Sequence, residues 1–240
     1  MRRPTDIRAP PELWIPVLRE SYTFLRGCGV GDLLLYGSQA MSVYMRYPLR
    51  SKDIDLVSTQ MRPQLLDELT KRLARFSETS PRNTVMTRST DNGLARTYSV
   101  YLRMRGYPLI VEIFDTVLAG RKPKILWPHI RTVRRWDMEI YTPTPEAIVA
   151  LRLSFSPPER ISRLNAIRLN RFIKARERKL NFKRILKILE EWGTRELVWD
   201  NLKELHGRHK MHILHDSDID ARIRNLPKNR FRASRCASWN

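Results

Sequence analysis

Two aspartates, Asp53 and Asp55, are the residues whose type and spacing most directly suggest catalysis. Residues 52–58 have the apolar alternation of a short strand, which places both side chains on one face and buries Ile54 and Leu56 on the other. Two carboxylates on one face are suitable ligands for a hard divalent cation. Mg²⁺ needs only a few protein carboxylates when a substrate supplies phosphate oxygens. The pair therefore predicts a site for Mg²⁺ or Mn²⁺.

The segment before these aspartates suggests what the metal ions would act on. A buried strand over residues 32–36 ends at Gly37, and Ser38 is predicted to cap a helix over residues 39–47. Backbone N–H groups at a helix start bind phosphate oxygens, Gly37 would let a triphosphate approach the backbone, and Ser38 would add a hydroxyl donor. Two metal ions beside such a turn can polarise an α-phosphate and neutralise a leaving pyrophosphate. The segment thus predicts binding of a nucleoside triphosphate (NTP).

These residues resemble a known superfamily. Gly37-Ser38, followed after a short helix by Asp53-Ile54-Asp55-Leu56, resembles the signature of the DNA polymerase β-type nucleotidyltransferases, and RSKDIDLV at residues 50–57 is similar to the AbiEii/MenT toxin-like branch. The motif Pro143-Thr144-Pro145-Glu146, which opens a helix carrying Arg152, is similar to the start of that branch's helical domain, although the branch usually has lysine at the position of Arg152. The resemblance covers about residues 30–192.

The resemblance implies an α/β nucleotidyltransferase fold, with helices on a mixed sheet, followed by a smaller helical domain. It also implies an NTP donor, two magnesium ions and a third carboxylate on a neighbouring strand. Residues 107–117 contain two candidates for that carboxylate, Glu112 and Asp115. Glu112 is favoured because it interrupts an otherwise apolar strand, which is costly unless a cation or hydrogen bonds receive the carboxylate. Lys52 and Arg152 are further candidates for contacts with the nucleotide.

The charge of the chain suggests a polyanionic partner. The sequence has 45 Lys and Arg against 25 Asp and Glu, a formal net charge of +20. Residues 152–187 contain twelve basic residues and two acidic ones, and the apolar residues between them leave a basic helical face for a phosphate backbone. Arg168, Arg171 and Lys174 are the predicted RNA contacts on this face. A solvated basic surface without a nucleic-acid partner is the alternative.

Three interpretations of the function remain open. RNA fits the charge, and the toxin-like resemblance suggests transfer RNA and a protein partner from a toxin–antitoxin pair. A protein or small-molecule acceptor would fit if basic residues clustered only around the triphosphate. A binding protein that keeps the fold without catalysis is the third interpretation, and the intact Asp53 and Asp55 argue against it.

The remaining pattern predicts the elements that position this site. We expect a nucleotidyltransferase domain over residues 1–141, a helical domain over 142–205 and a basic tail over 206–240. Helices are predicted at 11–26, 63–76, 159–175 and 180–192, an antiparallel meander at 84–117, a single strand at 133–141, and a helix capped by Thr144 with Pro145 in its first turn. Two distant cysteines and the lack of an apolar run long enough to span a bilayer predict a cytoplasmic protein.

Overall fold

The computed structural model describes residues 7–118, 120–154, 162–176 and 179–207, with only the backbone described at residues 195–197 and 206–207. The helices are α1 Pro11–Gly27, α2 Gly37–Val43, α3 Pro63–Leu73, α4 Pro145–Leu153, α5 Arg163–Arg176, α6 Phe182–Glu191 and α7 Arg195–Gly207. The strands are β1 Leu34–Leu35, β2 Asp53–Val57, β3 Arg82–Thr90, β4 Gly93–Met104, β5 Tyr107–Phe114, β6 Ile130–Arg135 and β7 Met138–Pro143. Residues 208–240, most of the predicted tail, lie outside the described part.

A five-stranded mixed sheet organises the chain, in the order β1-β2-β5-β4-β3. β2 and β5 are parallel, and the other neighbouring pairs are antiparallel. Strands β3, β4 and β5 form the predicted meander; Asp91-Asn92 forms its first turn and Arg105-Gly106 its second. Helices lie on the sheet and further helices follow it in sequence, so the predicted fold class is confirmed.

Each face of the sheet has its own apolar core. On one face, Ile54 and Leu56 of β2 and Val111 of β5 pack with α1 and α3. On the other face, Val57 of β2 and Met41 of α2 pack with buried residues of the helices α4 to α7. Because the C-terminal helices share a core with the sheet, they hold one of its faces in place. The division into two domains near residue 141 remains a prediction.

Three predicted elements differ from the structure. The single strand predicted at 133–141 is wrong, because β6 and β7 form a hairpin in which Trp136 and Asp137 both have positive φ, the conformation of a type I′ turn. The helix predicted at 39–47 begins at Gly37 and ends at Val43, so Ser38 lies inside its first turn and does not cap it. The helix predicted at 159–175 begins at Arg163, because the described Ser162 is not helical, and residues 159–161 of the prediction lie outside the described part.

The helix α4 begins as predicted. The hydroxyl of Thr144 accepts a hydrogen bond of 3.3 Å from the backbone N–H of Ala147, and Pro145 occupies the first turn.

Among the described helices, none has both the length and the apolar content needed to cross a membrane.

Candidate active site

Three carboxylates meet on the sheet face that is covered by α4 and α5. Asp53 and Asp55 are two residues apart on β2, and Glu112 lies opposite Asp55 in the parallel register of β2 and β5. One carboxylate oxygen from each residue lies within 4.8 Å of the other two. All three side chains are half-buried. The structure therefore brings together the three predicted metal ligands.

The surroundings of these carboxylates penalise negative charge. Burial, followed by the negative charge of Asp53, raises the pKa of Asp55 from its usual 3.8 to about 7, and the positive charges of Arg152 and Arg168 oppose the rise. Burial and Asp53 also raise the pKa of Glu112, against the positive charge of Lys52. A cation at this position would remove the repulsion among the three carboxylates. Their spacing, donor type and electrostatics fit a divalent metal ion.

Asp115 has a different role from Glu112. Its Oδ1 accepts a hydrogen bond of 2.7 Å from the backbone N–H of Arg96, and its own N–H donates to the Arg96 carbonyl at 3.1 Å. Asp115 therefore fastens the end of β5 to β4. Of the two sequence candidates, Glu112 is the one beside Asp53 and Asp55.

A chain of buried serine hydroxyls fixes the orientation of Asp53. The Ser51 hydroxyl donates to Oδ1 of Asp53 at 2.8 Å, and the Ser38 hydroxyl lies 3.0 Å from that of Ser51. Because Ser51 uses its hydrogen on Asp53, Ser38 is the donor of the second bond. Ser38 and Ser51 are 2% and 0% exposed. In this arrangement Ser38 positions a carboxylate through Ser51, and its predicted bond to a phosphate remains a proposal.

Gln39 is a further positioning residue that sequence reasoning missed. Its side chain is 1% exposed, and its amide nitrogen donates to the carbonyl of Asp53. Its amide oxygen accepts from the backbone N–H of Asp55 at 3.5 Å. Gln39 thus holds the backbone of β2 between the two aspartates.

Gly37 is required because Asp55 occupies the place of its missing side chain. Its φ is +61°, and a Cβ added there would lie 1.7 Å from Oδ2 of Asp55. The sequence reasoning assigned this space to an approaching triphosphate, whereas the structure fills it with a carboxylate. A side chain at position 37 would therefore displace Asp55.

We expect Gly37→Ala to lower both the unfolding free energy and metal-dependent activity. The left-handed backbone costs alanine about 1–2 kcal/mol, and the contact with Asp55 adds a further loss. Gly193→Ala is the matched control, because Gly193 has φ +63° and an added Cβ there meets none of the described atoms within 4 Å. Urea unfolding and Mg²⁺ titration of both variants measure the difference. Equal destabilisation with unchanged Mg²⁺ affinity in both would contradict the role of Gly37.

Arg152 reaches the carboxylates from the last turn of α4. It lines a cavity of about 170 Å³ together with Tyr36, Gly37, Asp55 and Phe114, among others. Its positive charge lowers the pKa of Asp55, against the larger effects of burial and Asp53. Lys52 is exposed, and its charge acts on Glu112. Each predicted nucleotide contact thus interacts electrostatically with a carboxylate of the triad.

Arg168 belongs to the site, which corrects its predicted place on an exposed RNA-binding face. Only 9% of Arg168 is exposed, and its guanidinium donates to the backbone carbonyl of Arg50. Burial lowers its pKa to about 10, the positive charges of Arg8 and Arg152 lower it as well, and Asp53 and Asp55 raise it. Arg168 is four residues before the buried Phe172, and this helical spacing indicates the inner face of α5. Arg171 and Lys174 are exposed, as predicted.

The chain has relatives of similar structure but no match by sequence. No protein-family model matches the sequence, and neither does any curated protein. The antibiotic-resistance factor ANT(2'')-Ia is similar in structure, with 12% identity, a TM-score of 0.49 and coverage of 83% of this chain and 98% of that chain. A candidate nucleotidyltransferase from H. pylori has 16% identity, a TM-score of 0.46 and coverage of 87% of each chain. At these values the likenesses carry no assignment, so inferences about function depend on the side chains of the site.

Proposed function

We propose that this chain is a metal-dependent nucleotidyltransferase of the polymerase β-type superfamily, and that it transfers a nucleoside monophosphate from an NTP to RNA. The observation that carries the proposal is the triad of Asp53, Asp55 and Glu112 with carboxylate oxygens within 4.8 Å of one another. Its position beside Gly37 and Arg152 supports it further. The raised pKa of Asp55 is the expected cost of holding carboxylates together for a cation.

Asp53, Asp55 and Glu112 would hold two Mg²⁺ or Mn²⁺ ions. When bound, these ions polarise the α-phosphate and neutralise the charge of the departing pyrophosphate. Arg152 would add a positive charge for the donor's phosphates. The cavity of about 170 Å³ is smaller than the roughly 300–1,000 Å³ of typical small-molecule sites, so it would take only part of the donor. The backbone N–H groups of Gly37 and Ser38, together with Lys52, would contact the remaining phosphates.

The reaction would proceed by a single displacement at the α-phosphorus. An acceptor hydroxyl oxygen forms the new P–O bond, and the bond between the α-phosphorus and its bridging oxygen breaks. Pyrophosphate leaves with the electron pair of that bond. In this proposal Glu112, the carboxylate that the neighbouring strand β5 adds to the triad, would receive the hydroxyl proton.

The identity of the acceptor is tested directly by labelling. The purified protein is incubated with Mg²⁺ and each α-³²P-labelled NTP in turn, in the presence of total RNA, total protein or a small-molecule extract. We expect label in RNA. Label only in protein or in small molecules would make the acceptor part of the proposal wrong, and no transfer from any NTP to any acceptor would overturn the proposal.

The finer assignment to the AbiEii/MenT toxin-like branch rests on the resemblance of residues 50–57 and of the segment that opens α4. It suggests transfer RNA as the acceptor and a neutralising protein partner, and the two distant cysteines fit a cytoplasmic setting. Expression in a bacterial host tests the toxin role. Growth arrest by the wild-type chain, and its absence with Asp55→Asn at equal protein level, is the expected result.

The third carboxylate gives a paired prediction. We expect Glu112→Gln to lower the transfer rate at least ~100-fold, because it removes a metal ligand and the proton acceptor. Asp115→Asn is the matched control, since an amide oxygen can still accept the hydrogen bond from the Arg96 N–H. Single-turnover rates at saturating Mg²⁺ measure both. A greater loss of transfer rate in Asp115→Asn than in Glu112→Gln would show that Asp115, and not Glu112, is the third carboxylate.

A further inference from the structure

A large basic groove opens at the end of the sheet where β2 and β5 begin. It has a volume of about 980 Å³, and its arginines are Arg8, Arg50, Arg105 and Arg163. They come from four separate segments: the N-terminus, the loop before β2, the β4–β5 turn and the start of α5. Among the described residues that line the groove, none is acidic. A groove of this kind concentrates positive potential where a phosphate backbone could lie.

The groove is joined to the carboxylate triad by Arg50. The Arg50 guanidinium donates to the Arg8 carbonyl at 3.2 and 3.1 Å and lies 5.9 Å from the ring centre of Tyr107. The Arg50 carbonyl accepts from Arg168, whose charge interacts with Asp53 and Asp55. Arg50 lies shortly before Asp53, in the loop that leads into β2. Tyr107 lies on β5, the same strand as Glu112. An extended ligand in the groove would therefore lead to the triad.

An exposed aromatic side chain, Tyr101, lies on the same face of the sheet as the triad, two strands away from Asp53. Asp53, Ile110, Tyr101 and Arg82 are paired in register across β2, β5, β4 and β3, so their side chains share one face. Tyr101 is 37% exposed and Arg82 is exposed. An exposed tyrosine beside a basic side chain suits stacking of an unpaired base, with the arginine available to a phosphate.

We propose that this groove binds the phosphate backbone of a single-stranded RNA acceptor, stacks a terminal base on Tyr101 and delivers the terminal 3′-hydroxyl to the triad. The inference rests on the proposed function and names the path of its acceptor. Arginines from four segments around about 980 Å³ suit several phosphates in a row better than the single charge of a small acceptor. Stacked aromatic rings and basic side chains together are typical of single-strand binding.

The groove is tested by removing two of its charges. The variant Arg105→Asn with Arg163→Gln is suitable, because Arg105 has φ +48° in a turn, where asparagine is well tolerated. The control is Arg62→Gln with Lys71→Gln, two exposed charges, one at the N-cap of α3 and one within that helix, which packs on the opposite sheet face. Binding of a fluorescein-labelled single-stranded RNA of ~20 nucleotides is followed by anisotropy at increasing KCl concentration. We expect the log-log salt slope to flatten by about 1.4 in the groove variant, at ~0.7 per lost contact, and to stay unchanged in the control.

Two results would overturn the proposal. One is an equal slope in the groove variant and the control, and the other is wild-type transfer by the groove variant to limiting RNA. Transfer to RNA with a 3′-hydroxyl, and none to the same RNA with a 3′-phosphate, is the expected companion result. If the slope changes as expected while the wild-type chain transfers no nucleotide, the groove stands and the proposed catalytic function fails. If transfer occurs but is insensitive to the groove variant, the function stands and the groove proposal fails.

Discussion

Asp53→Asn and Asp55→Asn are each expected to reduce nucleotidyl transfer about 1,000-fold or more without unfolding the protein. Each change removes a carboxylate from the triad, and metal ions contribute several kcal/mol of transition-state stabilisation, at about tenfold in rate per 1.36 kcal/mol. The fold should persist, because asparagine has nearly the shape of aspartate and the Ser51 hydroxyl can donate to its amide oxygen. Single-turnover transfer from a labelled NTP at saturating Mg²⁺ gives the rate.

Asp137→Asn provides the control for this pair. Asp137 has a 94% exposed side chain and a positive φ, which asparagine adopts readily. We expect its transfer rate and circular dichroism spectrum to equal those of the wild-type chain. Near wild-type turnover in either Asp53→Asn or Asp55→Asn would show that the metal ligands are assigned wrongly.

The location of the triad could be predicted from sequence because each part has a local signal. The alternation of residues 52–58 places Asp53 and Asp55 on one face of β2, and a lone carboxylate in an apolar strand indicates Glu112. The hydroxyl of Thr144 followed by Pro145 likewise specifies the start of α4. In each case the pattern that identifies the feature lies within a few residues of it.

The residues that orient the triad have no such local signal. Gln39 and Ser51 are ordinary polar residues in sequence, and their roles depend on bonds that close only when α2 packs beside β2. The β6–β7 turn was not predicted because Trp136 and Asp137 adopt positive φ without a glycine to indicate it. These features follow from tertiary packing, which overrides local preference.

Arg168 shows why a count of charges misplaces one arginine of α5. A count of basic residues treats every arginine as exposed, whereas Arg168 lies among Ala166, Leu169 and Phe172 on the buried side. Such burial is costly without nearby negative charge, and Asp53 and Asp55 supply it. A basic residue at core spacing on a helix therefore indicates an internal anionic partner before it indicates an RNA surface.

Without divalent metal, the wild-type chain is expected to lose stability relative to Asp55→Asn as the pH rises. The folded pKa of Asp55 is raised from 3.8 to about 7, so between these values the folded state keeps a proton that the unfolded state releases. This contribution is full below pH ~4 and is lost as the pH rises through about 7. Asparagine does not titrate, so the difference between the two proteins reports Asp55 together with Asp53 and Glu112, whose charges act on it. Urea unfolding in EDTA from pH 4 to 8 measures it.

Metal should reduce the stability difference between the two proteins at high pH. Asp53, Glu112, Arg152 and Arg168 all act on Asp55, and the two carboxylates outweigh the arginines only until a cation neutralises them. At a Mg²⁺ concentration of ~100 times the dissociation constant, binding to the folded state stabilises it by about 2.7 kcal/mol, and Asp55→Asn should gain much less. Repeating the pH 8 unfolding with Mg²⁺ in place of EDTA tests this. An Asp55→Asn variant that is less stable than the wild-type chain in EDTA would mean that Asp55 is a structural residue, and that its burial near Asp53 does not reflect a cation site.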